Sequence, residues 1–205
     1  MVQLKKCRFL GAFMSVEYII VQAGGKGSRM KSLTRNKPKA LVPINNKPMI
    51  FHLFDMFSEK KFIIIGDYKY SVLEKYLNAF AKVDFKTVCS SDCIGTCSGM
   101  KEALSYIPDG KSFMLIWSDI LLSTDFRMPD DNNTYIGLST DFSCRWSYTC
   151  DGLKEIPSVE NGVAGLFIFK DKECLCDIPE SGEFVRWLSS KEISFKPIYL
   201  KGAKE

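Results

Sequence analysis

"VQAGGKGSRMKSLTRNKPKALVPI", Val21 to Ile44, sets three glycines, two arginines and four lysines between two apolar runs. The β-rich run EYIIVQA (17–23) leads straight into the glycines, and Pro38 and Pro43 stiffen the exit. Glycines placed directly after a buried strand let backbone amides approach a ligand at the strand's carboxyl end, and the cations favour an anionic one. Two familiar phosphate loops can be tested. A P-loop needs GxxxxGK[ST], and no such run occurs. A dinucleotide fingerprint needs GxGxxG opening a helix; Gly25 and Gly27 match, but the third position is Met30, and the prolines forbid a long helix downstream. A plain surface tether would have no use for a buried strand on one side and rigid prolines on the other. The stretch reads as a phosphate-binding loop of another kind, with Arg29 able to fork onto phosphate oxygens and Lys39 able to supply a point charge.

Outward from the loop, helix and strand patterns alternate. PMIFHLFDMFSEK (48–60) has helical periodicity behind a proline suited to a first turn. KFIIIGD (61–67) reads as a buried strand and SVLEKYLNAFA (71–81) as an amphipathic helix with Ser71 as N-cap. DFKTVC, GTCSGMKEALSYI and SFMLIWSD follow as strand, helix and strand. This order predicts an α/β fold with a mostly parallel sheet covered on both faces. Beyond Asp119 the chain turns β-rich: TYIGLS, a hairpin turning at Asp151-Gly152, VAGLFIF and SFKPIYL as strands, with EFVRWLSSK as a helix. No repeat or linker interrupts it, so one domain in two lobes is expected.

Composition narrows the classes. The chain has 205 residues, 46% hydrophobic and 25% charged, the range of a globular domain. A net charge of +4 does not argue for a nucleic-acid partner. No apolar stretch approaches the roughly 20 residues that span a bilayer, so no membrane partner is expected. Eight cysteines form no CxxC pair and a single histidine, His52, lies between apolar residues, which argues against zinc. Cysteines inside apolar runs behave as small hydrophobes, and reduced thiols in a cytoplasmic protein are the expectation. Residues 1–13 carry a basic pair and a short apolar run without a cleavage site; they read as an N-terminal extension ahead of a domain at 14–205.

The loop and its sequel, AGGKGSRM…NKPKALVPINNKPMI, resemble the signature of the sugar-phosphate nucleotidylyltransferases: G-G-x-G-[ST]-R-[LM], then K-P-K-x-L-x-P-[IV], then K-P-[ML]-I. GTCSGMKEAL and IWSDIL are similar to two further stretches of that family, and the resemblance runs in order over most of residues 17–200. It implies a Rossmann-like fold whose β-rich half binds the acceptor. It also implies a Mg²⁺-dependent transfer of NMP from an NTP to a sugar 1-phosphate or similar phosphorylated small molecule, with release of pyrophosphate. Such products feed cell-surface polysaccharide synthesis. By the same resemblance Ala23, Gly24, Gly25, Gly27 and Ser28 cradle the triphosphate, Arg29 steadies the leaving pyrophosphate and Lys39 bridges the two phosphates. Asp119, at the end of a hydrophobic strand, would hold Mg²⁺, against a plain cap or turn role. Gly95 and Thr96 would lie against the nucleobase, with an N-cap role for Thr96 as the competing reading. Gly165 falls where the family meets its acceptor.

The chain also departs from the pattern. Ser118 stands where a glycine is usual, and the lysine that grips the sugar phosphate has no clean counterpart except Lys154, so Arg145 is the candidate replacement. Trp146 and Tyr148 either offer an aromatic wall, suited even to the quaternary amine of phosphocholine, or pack within the sheet. Glu183 either binds acceptor hydroxyls or a cationic head, or simply starts a helix. The family's second metal-binding aspartate, in an Asp-x-Gly turn, is absent from KGAKE. A fused segment beyond Glu205, another acid, or a single carboxylate would each account for that. The alternatives to a sugar-phosphate enzyme are a phosphocholine-type cytidylyltransferase and a catalytically silent nucleotide-binding regulatory domain. A glycosyltransferase would want a D-x-D motif, which the chain lacks.

A chain starting at Met14 is expected to fold and bind NTP as well as the full sequence. Denaturant unfolding of both forms checks this: a loss above about 1 kcal/mol would mean that residues 1–13 pack on the domain.

Overall fold

The computed structural model describes residues 16–90 and 95–205. Residues 1–13, read above as an extension, lie outside the described residues. The first half contains β1 (Tyr18–Gln22), β2 (Pro43–Ile44), β3 (Lys47–Pro48), α1 (Met49–Met56), β4 (Lys61–Gly66), α2 (Tyr70–Phe80), β5 (Asp84–Cys89), α3 (Cys97–Ser105) and β6 (Phe113–Trp117). The second contains β7 (Tyr135–Ser139), β8 (Ser147–Thr149), β9 (Gly152–Lys154), β10 (Gly162–Phe169), α4 (Phe184–Leu188) and β11 (Lys196–Tyr199).

The main sheet runs β11-β7-β10-β6-β1-β4-β5, with β8 on β10 and β9 on β8. Strands β5, β4, β1 and β6 are parallel, β10 is antiparallel to both β6 and β7, and β11 is parallel to β7. The expected α/β fold, Rossmann-like with a mostly parallel half and a β-rich half, is what forms. Burial follows the two-residue alternation of strands. Ile20, Ile63, Ile65, Phe113 and Leu115 face the cluster completed by α3 and α4. Ile19, Val21, Phe62, Ile64, Met114 and Ile116 face the cluster completed by α1 and α2. Helices on both faces explain why these strands read as continuous apolar runs. Each fully buried side chain of this size contributes about 1.5–3 kcal/mol.

Two local expectations are corrected, and one element is new. Helix α2 begins at Tyr70 with Lys69 at the N-cap position in the left-handed region (φ 56°), so Ser71 lies inside the helix. The β8–β9 hairpin turns at Cys150-Asp151, because Gly152 already pairs with Thr149. A small β2–β3 hairpin, unanticipated, turns on Asn45 and Asn46 at φ 50° and 64°. Two residues at positive φ make a primed hairpin turn, and asparagine tolerates that region. His52 Nε2 lies 3.1 Å from the Ile44 carbonyl, tying α1 to this hairpin.

One glycine decides how the two halves join. Gly165, at φ 75° in β10, sits where the β7 pairing shifts register. A Cβ there would lie 2.1 Å from Cδ2 of Trp117, the last residue of β6. Gly165→Ala is expected to lower unfolding free energy by about 2 kcal/mol or more, from backbone strain and steric overlap together. Urea denaturation monitored by tryptophan fluorescence checks it.

Candidate active site

From β1 the chain crosses to β4 and β5 on one side, then returns to β6 on the other. A crevice opens where connections leave neighbouring parallel strands in opposite directions, at their carboxyl ends. The glycine loop follows β1 and Ser118-Asp119 follows β6, so both stand at this crevice. Gly27, at φ 60°, shapes the loop: a Cβ would come 2.9 Å from Thr34 Cγ2 and 3.2 Å from Lys39 Cβ. Its carbonyl accepts from the Met30 amide (2.9 Å) and the Thr34 hydroxyl (3.0 Å). The Lys39 stem therefore lies against the loop, and its Nζ reaches Asp119 Oδ2 at 2.5 Å. Both side chains are mostly enclosed, 18% and 17% exposed.

Two cavities meet here. One, of about 370 Å³, is lined by Gly24, Gly25, Lys39, Gly95, Thr96, Asp119 and Glu183 among the expected residues. Gln22, Ile65, Asp67, Ser90, Trp117 and Val185 are among the residues that join them. The other, of about 330 Å³, is lined by Arg29, Asp119, Arg145, Trp146 and Glu183, joined by Trp117, Cys144 and Glu205. Trp117, Asp119 and Glu183 line both and form the common wall.

Long-range contacts assemble that wall. Gly95 pairs with Gly182 in an isolated parallel bridge, and the Thr96 and Cys97 amides donate to the Gly182 carbonyl at 2.8 and 3.0 Å. The Thr96 hydroxyl accepts from the Phe184 amide at 2.8 Å, so it serves the first turn of α4 and not its own helix. Glu183 is thereby delivered to the crevice. Arg145 bonds Glu155 Oε1 through Nε (2.8 Å) and Nη2 (2.5 Å), and Glu183 Oε1 through Nη1 (3.3 Å). Arg186 also reaches Glu155, at 2.6 Å. Hydrogen bonding from Arg145 holds the exposed Glu155 carboxyl below its usual range.

Other expected residues are placed differently. Ala23 is buried, with its amide donating to the Ile65 carbonyl at 2.8 Å. Ser28 lines a separate depression with Lys26, Lys31 and Arg35. Arg29 is 89% exposed on the second cavity, 3.5 Å from Glu205 Oε1. Trp146 is 3% exposed and belongs to the core, and Tyr148 exchanges hydrogen bonds with the Phe195 backbone, so no open aromatic cage forms from this pair. Gly165 lies beneath Trp117, and Lys154 pairs with Asp151 away from both cavities.

Nucleophilic thiol chemistry finds no support: burial first, then Glu183, pushes Cys97 up to about 11, and burial with Glu205 does the same for Cys144. Among the described residues no group of three or more His, Cys, Asp or Glu could hold a metal by itself. A hard-oxygen donor set of one or two carboxylates, Asp119 with Glu205 on the same cavity, fits Mg²⁺ that takes its remaining ligands from phosphates and water.

The family model described as "Nucleotidyl transferase" matches residues 18–129, more than half of the 205. The chain belongs to that family. Among curated relatives, the D-glycero-alpha-D-manno-heptose 1-phosphate guanylyltransferase of Campylobacter jejuni is 32% identical over 92 residues, 43% of this chain and 42% of its own length. The bifunctional protein GlmU of Methanocaldococcus jannaschii is 25% identical over 166 residues, 80% of this chain and 36% of its own. The chain thus spans less than half the length of these two relatives. HddC from Yersinia pseudotuberculosis shares the fold at a TM-score of 0.70, with 19% identity and 90% of each chain covered. The CTP:phosphocholine cytidylyltransferase LicC of Streptococcus pneumoniae does so at 0.69, with 18% identity and 93% of each covered.

Reasoning from sequence missed Asp67, Trp117, Gln22 and Glu205. Asp67 was within reach, since it ends a buried strand just as Asp119 does. Glu205 had no local signal: it arrives because Leu121 and Lys204 pair across the chain at 2.9 and 3.1 Å. Thr96→Val should remove the acceptor for the Phe184 amide and cost about 1–2 kcal/mol. Faster hydrogen exchange at Phe184, by NMR, is the expected signature.

Proposed function

We propose that this nucleotidyl transferase family member joins an NMP group from an NTP to a phosphorylated small molecule, a sugar 1-phosphate or a close equivalent, and releases pyrophosphate. One observation carries the reading: two cavities share a wall at Asp119, with Lys39 2.5 Å from that carboxylate. Group transfer between two ligands needs their reacting groups held side by side, and a common wall provides that. The first cavity takes the nucleotide and the second the acceptor.

The chemistry asks little acid–base work of the chain. A phosphate monoester is already largely dianionic near pH 7, so its oxygen attacks the α-phosphorus without a general base. A new P–O bond forms, the bond from the α-phosphorus to the bridging oxygen breaks, and pyrophosphate leaves with the electron pair. Lys39 exchanges Asp119 for phosphate oxygens as the nucleotide enters and neutralises charge where the two phosphates meet. The Gly24 and Gly25 amides receive the triphosphate. Arg29 lines the second cavity beside Glu205 and, 89% exposed, would swing from there to the leaving pyrophosphate. Arg145, held by Glu155 and Glu183, faces the acceptor phosphate. Asp119 would hold Mg²⁺, which when bound supplies positive charge to the phosphate oxygens. A phosphorylated amine as acceptor is the second reading; it is favoured by the carboxylates Asp119, Glu183 and Glu205 on the acceptor cavity.

Incubation with Mg²⁺, each of four NTPs and a panel of sugar phosphates and phosphorylated amino alcohols is expected to release pyrophosphate with at least one pair. Silence across the panel with nucleotide still bound would favour the regulatory alternative. Lys39→Ala and Arg29→Ala should each lower turnover by about 10² or more with circular dichroism unchanged. Asp119→Asn should abolish Mg²⁺-dependent pyrophosphate release while metal-free NTP binding survives.

A further inference from the structure

Gln22 closes β1 between Ile65 of β4 and Trp117 of β6, and all three line the larger cavity. Two residues earlier on the same face Ile20 is fully buried against the α3 cluster, so the amide stands at the end of an otherwise apolar face. Its Nε2 is buried without a hydrogen-bond partner. Three neighbouring polar groups of this cavity are occupied. The Ser90 hydroxyl donates to the Gly66 carbonyl at 3.2 Å, the Thr96 hydroxyl accepts from Phe184, and Glu183 is paired with Arg145. The Gln22 backbone carbonyl accepts from the Ser118 amide at 3.1 Å, which pins the residue while leaving its side chain unmatched.

An unbonded buried donor costs about 1–3 kcal/mol, and a persistent one calls for a reason. The terminal amide torsion is soft, so the group can turn into the cavity. A carboxamide presents donors beside an acceptor in one plane, and the edge of a nucleobase presents the complementary array. We propose that Gln22 reads the edge of the nucleobase and sets which NTP this protein prefers. The inference rests on the nucleotidyl-transfer reading of the same cavity. The floor of Ile65 and Val185 would bury the faces of the base, Gly95 and Thr96 would flank it, and the Gln22 amide would meet its polar rim. A site whose buried amide must be matched rejects bases that leave it unmatched, the asymmetry that makes polar readers more selective than apolar pockets.

The test is equilibrium binding of ATP, GTP, CTP and UTP to the full chain by calorimetry, with Gln22→Leu and Gln22→Glu alongside. The unsubstituted protein is expected to prefer one NTP by about tenfold or more. Gln22→Leu should weaken that NTP by a similar factor and leave the others within about threefold. Gln22→Glu, nearly isosteric but without a donor when ionised, should change the order of preference. The unliganded Leu variant should melt no lower than the parent, because it loses an unmatched donor. Equal binding of all four NTPs by the parent, a uniform loss across them in both variants, or a lowered Tm for the unliganded Leu variant would overturn the assignment. If the parent binds no NTP, the nucleotidyl-transfer reading falls and takes this one with it. If it binds and turns over while both variants keep its order of preference, only Gln22 is refuted.

Discussion

Lys39 follows β1 and Asp119 follows β6, the strand beside it, and their contact at 2.5 Å joins the loop to the wall that the two cavities share. The lysine rises from a loop folded over Gly27; the aspartate follows a strand whose Phe113, Met114, Leu115 and Ile116 are fully buried. With both side chains largely enclosed, either one alone would leave an uncompensated charge in a crevice, which is costly. Pairing them keeps the empty crevice tolerable. In the proposed reaction the same closeness would set a cation beside phosphate oxygens and a hard carboxylate beside a divalent ion, so that one pair would serve both structure and chemistry.

Around that pair the charge is arranged in layers. Enclosed groups are few. The outer ones, Arg29, Arg145, Arg186, Glu155, Glu183 and Glu205, are partly or largely exposed; Arg29 pairs with Glu205 and the other four pair among themselves. Exposed pairs contribute little stability, typically 0–1 kcal/mol. Their worth lies in orientation, because Arg145 is held at the second cavity by two carboxylates whose loss of it would cost the fold little. Trp117 divides the cavities and depends on Gly165 for its space. The partition between the two cavities is thus set by packing, and the charges are placed on either side of it.

Much of the fold was legible from sequence. Continuous apolar strands separated by helical periodicities imply a two-sided parallel sheet, since only strands covered on both faces can be apolar throughout. The glycine loop was legible too, because glycines, cations and prolines act over a few residues and their spacing survives in the linear order. Asp119 could be placed by the same rule, as an acid at the carboxyl end of a buried strand.

What the linear order alone determined is therefore the sheet, the loop and the strand-end acid, each governed by local backbone sterics and periodicity. Tertiary structure alone decided the rest. On sequence Thr96 is open to a place against the nucleobase or to a cap for its own helix; its hydroxyl serves α4, 88 positions away, and not its own helix. Trp146 is open to a wall or to packing within the sheet, and it is 3% exposed in the core. Glu205 carries no motif, yet pairing between Leu121 and Lys204 brings it onto the second cavity, 3.5 Å from Arg29. Gln22 looks like the polar end of a strand until Ile65 and Trp117 close around it. These contacts join segments far apart in the chain, so they depend on which strands pair and in what register. That is fixed by burial of the whole sheet and by no short stretch of residues.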